Sequence, residues 1–271
     1  MINLKIKGGL GNQLFQYAAA RNLATLNNTD LNIDYSYYNH SGADTPRQYL
    51  LDLFNIKPVK HIKSNSLYQV FDLINKILRK LSLNKNLYFD KYYFEKGVEF
   101  DDAFLSLKDD VWLTGFFQSA KYFSESIREE FKFNGPNNII EAGESVFIHV
   151  RRGDYLNNST YESCSLDYYN QAINLIKEKI VNPKFYIFSD DMEWVKNNLN
   201  IPEATYLSYS DHEDLYLMSQ CRHAIIANSS FSWWGAWLIN NPGKIVVTPS
   251  KWFRNKTINT KDLIPDSWIR I

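Results

Sequence analysis

Cysteine is nearly absent: Cys164 and Cys221 are the only two in 271 residues, too far apart and too few for a disulfide framework. No C-x-x-C or Cys/His spacing accompanies them, which argues against structural zinc and for a reducing compartment. A charge of one sign is missing as well. Lys+Arg and Asp+Glu are both 30, a formal net charge of zero, so no global field draws the chain to nucleic acid or to an anionic surface, and any anion site must be local. There is no D-x-D motif and no H-x-x-x-H. The acidic pairs Asp101-Asp102, Asp109-Asp110 and Asp190-Asp191 have no histidine beside them, so no metal site is expected. Long apolar runs are lacking, and Met1-Ile-Asn-Leu-Lys-Ile-Lys7 passes straight into glycines without the apolar core of a signal peptide. The expectation is a cytoplasmic protein, neither exported by a cleaved signal nor membrane-spanning.

What is present is a large apolar complement, 45% of residues, and many aromatics, 15% of the chain, enough for a substantial core in one large or two ordinary domains. Ile2 to Lys7 alternates as a strand does, and Gly8-Gly-Leu-Gly-Asn-Gln13 breaks it before a helix over Leu14–Leu26. Strand, glycine turn and helix, with Asp34 closing the next strand-like run, invite a dinucleotide-binding reading. It fails because the third glycine of G-x-G-x-x-G falls at Leu14, and no Lys-Ser/Thr follows to make a P-loop. What remains is a turn in which Gly9 and Gly11 free backbone N–H groups while Asn12 and Gln13 offer side-chain amides, to a ligand or simply as caps.

Residues 35–65 are polar and weakly periodic, as loop and short helix over a ligand mouth would be. Leu67, Val70, Phe71, Ile74, Ile77, Leu78 and Leu81 recur at helical steps, predicting an amphipathic helix over 66–83 with Lys76, Arg79 and Lys80 beside the stripe. A stripe this wide is expected to pack on the core, with contact at a membrane surface the minor alternative. A strand over Val111–Phe117 and a helix from Gln118 to about Phe131 follow. The cluster Phe133-Asn-Gly-Pro-Asn-Asn138 then marks a break, placing a boundary between domains 1–140 and 141–271.

Beyond it the order is regular: strands at Val146–Val150, Phe185–Phe188, Ala204–Leu207, Ala224–Ala227 and Lys244–Thr248, with helical patterns between them. Such alternation predicts an α/β fold with an open parallel sheet and right-handed crossovers. Ligands in such sheets sit beyond the carboxyl ends of the strands. The residues that end them here are His149, Arg151, Arg152 and Asp154; Ser189, Asp190 and Asp191; and Asn228, Ser229 and Ser230, followed by Phe231.

Arginine forks and the free N–H groups of a helix's first turn suit a diphosphate, and Asp190 suits a ribose diol or a base N–H. Each has an ordinary alternative. Arg152 can be a structural ion pair, and of two adjacent strand-end arginines only one is expected to face the site. Asp190, Asp191, Ser229 and Ser230 can be caps, and His149 a satisfied core histidine. With no metal ligands in view, a diphosphate leaving group would be neutralised by Arg151 and helix N-termini, which points to a metal-independent sugar-nucleotide transferase.

Gly8-Gly-Leu-Gly-Asn-Gln-Leu-Phe-Gln-Tyr-Ala18, His149-Val-Arg-Arg-Gly-Asp-Tyr155, Phe188-Ser-Asp-Asp191 and Ile226-Ala-Asn-Ser-Ser-Phe-Ser-Trp-Trp-Gly-Ala-Trp-Leu238 together resemble the bacterial α-1,2-fucosyltransferases. The resemblance spans nearly the whole chain. It implies a GT-B-like fold, two Rossmann-like domains facing each other across a cleft, acceptor side first and donor side second, with a last helix packing back on the N-terminal domain. It further implies GDP-β-L-fucose as donor without metal or other cofactor, inversion at the anomeric carbon, and the 2-hydroxyl of a galactoside as acceptor. That acceptor would be an oligosaccharide or lipid-linked glycan of a bacterial O-antigen-like pathway, met at most peripherally at the inner face of the membrane. Arg151 would hold the diphosphate, His149 and Asp190 would contact the nucleoside, Ser229, Ser230 and Phe231 would line the phosphate and base pocket, and Asn12 and Gln13 would face the cleft from the other domain. Asp154 is the first candidate for general base, with Glu162 and Asp34 behind it. Competing expectations are another GDP-fucose-dependent transferase (α-1,6 or O-fucosyl), a nicotinamide enzyme, which Leu14 disfavours, and a non-catalytic sugar-binding module, which the paired arginines disfavour.

Overall fold

A computed structural model of the chain describes residues 1–39, 47–64, 66–80, 88–89, 91–141, 143–156 and 158–271. These divide into two compact units, Met1–Lys132 with Asn259–Leu263, and Phe133–Ile258 with Ile264–Ile271.

In the first unit, β1 (Ile2–Lys5) leads through a glycine turn into α1 (Leu10–Leu26), then β2 (Leu31–Asp34), the edge strand β3 (Lys60–His61), α2 (Ser66–Lys80), β4 (Tyr88–Phe89), β5 (Tyr92–Phe94) and β6 (Val111–Thr114). The sheet order is β3-β2-β1-β6-β5-β4, and all pairs are parallel except β4 with β5. The turn narrows to Gly8-Gly9, because Gly8 takes the left-handed φ of +87° that side chains disfavour and Gly9 is the N-cap. Gly11, Asn12 and Gln13 therefore already belong to the first turn of α1, four residues earlier than the apolar pattern indicates.

The α-helix expected over 118–131 is replaced by two 3₁₀ turns, Ala120–Tyr122 and Glu125–Glu129. Ser119 accepts from the backbone N–H of Lys121 and Ser124 begins the second turn, so the chain restarts twice where one helix would have continued. The stripe of α2 also departs from expectation. Tyr68 is fully buried against Trp112 and Phe94, and Phe71 meets Tyr92, but Leu67, Val70, Leu73 and Ile77 face outward. Residues 81–83 of that predicted helix lie outside the described residues.

The second unit runs β7 (Ser145–Val150), α3 (Leu166–Lys179), β8 (Lys184–Ser189), α4 (Met192–Asn198), β9 (Thr205–Leu207), α5 (Asp211–Gln220), β10 (His223–Ile225), α6 (Ser230–Leu238), β11 (Val246–Thr248) and β12 (Ile269–Arg270). Ser165 caps α3, and Ser210, not Asp211, caps α5 through a reciprocal box with Glu213. Every pair of the sheet is parallel, in the order β12-β11-β10-β7-β8-β9. Helices on both faces bury all six residues of β7, which is why it reads as a continuous apolar run. Val146, Ile148 and Val150 pack with Tyr169, Ala172, Ile173 and Ile176 of α3, while Phe147 and His149 alternate to the other face.

Counted from its first strand, this unit has the order 3-2-1-4-5-6, so the chain reverses direction across the sheet between β7 and β10. The carboxyl ends of those two strands form the crevice where such folds bind ligands. Among the described residues no helix follows α6. The segment counted with the first unit, Asn259–Leu263, consists of turns, with Asp262 paired to Lys121 and accepting from the N–H of Phe100.

Candidate active site

At the switch point of the second unit β7 delivers His149, Arg151 and Arg152, and the loop after β10 delivers Asn228 and Ser229 to the start of α6. The two arginines diverge. Arg151 is ion-paired on one side to Asp154 (Nη2 to Oδ1, 2.8 Å) and on the other to Asp190 (Nε to Oδ2, 3.2 Å), with its guanidinium 5.7 Å from the Tyr155 ring. Burial works against its charge, but Asp190 and Asp154 outweigh it and raise its pKa above the ordinary arginine value, so Arg151 is a permanent cation. Arg152 turns away: Nε donates to Asp191 (3.1 Å) and its guanidinium lies 3.7 Å from the centre of the Trp194 ring.

Asp190 is occupied by this arrangement. One carboxylate oxygen accepts from the Arg152 backbone N–H (2.9 Å) and the other pairs with Arg151, so it braces the arginine loop. Gly153 permits that approach, since a Cβ there would stand 2.8 Å from Asp190 Oδ2. Asp191 caps α4 by accepting from the N–H of Trp194. Asp154 accepts from Arg151 and not from Arg152, which fixes the guanidinium in orientation.

His149 is 4% exposed, its ring centroid is 5.5 Å from that of Phe231, and its Nδ1 is buried without a hydrogen-bond partner. It is thus not a satisfied core histidine. An orphaned buried ring nitrogen costs about 1–3 kcal/mol, which a hydrogen-bonding ligand would recover. Burial, aided by the charge of Arg151, pushes its pKa down to about 3, so the ring is neutral throughout the working range.

That depression has a consequence for stability. Unfolding exposes a histidine that takes up a proton below about 6.5, whereas the folded state does not until about 3. His149 should therefore cost the fold about 1.4 kcal/mol for each pH unit between those limits as pH falls. Urea titrations at pH 7.5, 5.5 and 4.5 should show a smaller loss for His149→Gln than for the wild type; parallel losses would refute the buried neutral ring.

Ser229 caps α6, its Oγ accepting from the N–H of Phe231 (3.3 Å), and Ser230 opens the helix. Asn228 is 1% exposed and fully engaged: Nδ2 donates to the carbonyls of Glu162 (3.0 Å) and Trp252 (2.9 Å), and Oδ1 accepts from Cys164. Its side chain ties three loops together.

Gly9, Gly11, Asn12 and Gln13 belong to the first unit. Gln13 is fully buried, its Nε2 donating to the carbonyls of Gly8 and Gln48 and its Oε1 accepting from the N–H of Leu50, so it shapes the turn. Asn12 accepts from Gln118 through Oδ1. Of the other carboxylates considered as bases, Asp34 is buried and accepts from the N–H groups of Ser36 and Ser64; these bonds override the effect of burial and hold its pKa below the usual carboxylate range. Glu162 is exposed and 3.9 Å from Arg254.

Two features escaped sequence reasoning. Tyr155 stacks on Tyr161 (centroids 4.8 Å, 13° between planes) and donates to the Asn228 carbonyl, binding the arginine loop to the α6 loop. In the first unit Glu95, Glu99, Asp101, Phe100 and Tyr122 line a cavity of about 610 Å³ beyond β5. A string such as Arg-Gly-Asp-Tyr155 could have flagged the first; nothing local flags the second.

A braced cation, an unpartnered imidazole and a capped helix start share the switch point of one Rossmann-like sheet, and a second such sheet precedes it in the chain. The same fold is found in the solved structure of NodZ α-1,6-fucosyltransferase soaked with GDP-fucose, which covers 91% of this chain and 94% of its own, with a TM-score of 0.52 at 15% identity. The architecture is that of a GT-B glycosyltransferase.

The family model described as glycosyl transferase family 11 matches residues 1–271, and the chain belongs to that family. It is 34% identical to an alpha-1,2-colitosyltransferase of Escherichia coli, over 98% of this chain and 97% of the relative. It is 32% identical to the O-antigen biosynthesis glycosyltransferase WbnK of Escherichia coli, over 98% and 99%. With the human galactoside alpha-(1,2)-fucosyltransferase 1 it shares 27% identity over 53% of this chain and 46% of that one. Among the described residues no helix is long and apolar enough to cross a membrane.

Proposed function

We propose that the chain moves L-fucose from GDP-β-L-fucose to the 2-hydroxyl of a galactoside, forming an α-1,2 linkage with inversion, in the assembly of a bacterial surface glycan. The observation that carries the reading is Arg151, a permanent cation held by two carboxylates at the switch point beside the first turn of α6. In this mechanism the acceptor oxygen forms a bond to the anomeric carbon as the bond to the β-phosphate oxygen breaks, GDP leaves with the bonding electrons, and the acceptor hydroxyl gives up its proton to water. Negative charge grows on the diphosphate in an oxocarbenium-like transition state, and Arg151 and the N–H groups of α6 stabilise it there without a divalent cation. Asp154 and Asp190 are positioning residues that hold the guanidinium. Phe231 and the neutral His149 suit the nucleoside side of the pocket, the imidazole offering one donor or acceptor to a polar edge.

The colitosyltransferase relative favours a second reading of the donor, in which the sugar is colitose, the 3-deoxy counterpart of fucose. Incubation with GDP-fucose or GDP-colitose and a panel of β-galactosides, with the linkage read by NMR, separates the two. The expected result is a new α-1,2-fucosyl linkage whose rate is unchanged by EDTA. Transfer from GDP-colitose alone would replace the donor, and dependence on added Mg²⁺ would overturn the metal-free mechanism.

A further inference from the structure

The outward face of α2 has no role in the reading above. Tyr68 and Phe71 already fasten the helix to β5 and β6, yet Leu67, Val70, Leu73 and Ile77 are 55%, 52%, 59% and 49% exposed. Steps of three and four residues put them in one row, roughly 15 Å long at 1.5 Å per residue. Single exposed leucines need no explanation; a contiguous apolar row on a helix that is otherwise anchored does.

Charge identifies what would cover it. The whole chain is neutral, but residues 60–80 carry Lys60, Lys63, Lys76, Arg79 and Lys80 against one acid, Asp72. Basic residues on and before an amphipathic helix whose free face is apolar are the composition of a segment that lies in a lipid interface, apolar row among the acyl chains and cations at anionic headgroups. A second copy of this chain would meet the same concentration of positive charge, which disfavours self-association through this face.

We infer that α2 docks the protein flat on an anionic bilayer surface, through Leu67, Val70, Leu73 and Ile77, with the exposed Lys60 and Lys63 meeting the headgroups. The inference is independent of the donor and the linkage.

Flotation of the full chain with vesicles of 30 mol% phosphatidylglycerol in phosphatidylcholine, set beside pure phosphatidylcholine, tests it. Binding to the anionic vesicles is expected, weakened by 0.5 M salt. It should fall by about tenfold or more in Val70→Ser/Leu73→Ser and, through loss of charge, in Lys60→Glu/Lys63→Glu. All these side chains are exposed, so the variants should keep the wild-type Tm. Absence of binding, or binding that none of the substitutions weakens, overturns the inference. So does a concentration-dependent dimer in lipid-free light scattering that Val70→Ser/Leu73→Ser abolishes, since the face would then belong to a second copy.

Discussion

Arg151→Ala should lower turnover at saturating donor by about a hundredfold or more, the usual cost of removing a principal stabiliser of transition-state charge. The expectation follows from how the side chain is held. Two carboxylates grip it, Tyr155 lies beside it, and it is only 20% exposed, so water can replace its charge only in part. The charge it meets is larger in the transition state than in bound donor, so kcat should suffer more than KM. Arg151→Lys should recover little, because an ammonium cannot span Asp154, Asp190 and a phosphate with a planar fork.

Arg152→Ala serves as the internal contrast. Its guanidinium rests on Trp194 and pairs with Asp191, and its role in holding Asp190 is played by its backbone N–H, which alanine retains. Its turnover should stay within about tenfold of wild type. Single-turnover measurement with GDP-fucose and a soluble galactoside decides the matter. Near-normal chemistry in Arg151→Ala, or equal losses in both variants, would show that the leaving group is stabilised elsewhere.

That asymmetry marks the limit of what the sequence discloses. Alternation along β7 says that neighbouring side chains part company, and so that one arginine of the pair faces the site. Which one is decided by distant partners, Asp190 and Asp154 for Arg151, Asp191 and Trp194 for Arg152, and no local pattern contains that choice. The second unit was legible because a parallel sheet covered on both faces demands apolar runs, and Val146–Val150 is one.

Two-residue strands such as Ile269–Arg270 and Lys60–His61 carry no pattern; their conformation is imposed by the strand alongside. Tyr92–Phe94 is aromatic throughout, without the alternation that would announce a strand. For α2 the period was right but the stripe packs only in part: Phe71 meets Tyr92 while Leu67, Val70 and Ile77 stay exposed, and Tyr68, just off the stripe, supplies the buried anchor. Asn228 shows the same limit in a motif residue, since an amide that suits a ligand equally suits the carbonyls of Glu162 and Trp252.

The largest expected change in stability is at Trp233, whose replacement by alanine should cost about 3–5 kcal/mol, the range for emptying a buried tryptophan site. Trp233 is fully buried on α6, with its ring 5.1 Å from Trp234, 6.2 Å from Trp237 and 5.4 Å from Trp268. Four indoles in contact cannot close around a missing one without moving the helix or the carboxyl-terminal strand that follows Trp268. The site should feel the loss too. The Trp233 ring seats α6 against Trp268, and the first turn of that helix, from Ser230, is the part proposed to meet the diphosphate. Trp233→Ala should therefore lower the urea midpoint and, under conditions where it remains folded, weaken stabilisation by GDP. Leu73→Ala on the exposed face of α2 provides the scale, with an expected change within about 0.5 kcal/mol. A Trp233→Ala protein as stable as Leu73→Ala would mean that α6 is held by something other than its tryptophans. One that is destabilised but still gains full stabilisation from GDP would separate the seat of the helix from the binding of the nucleotide.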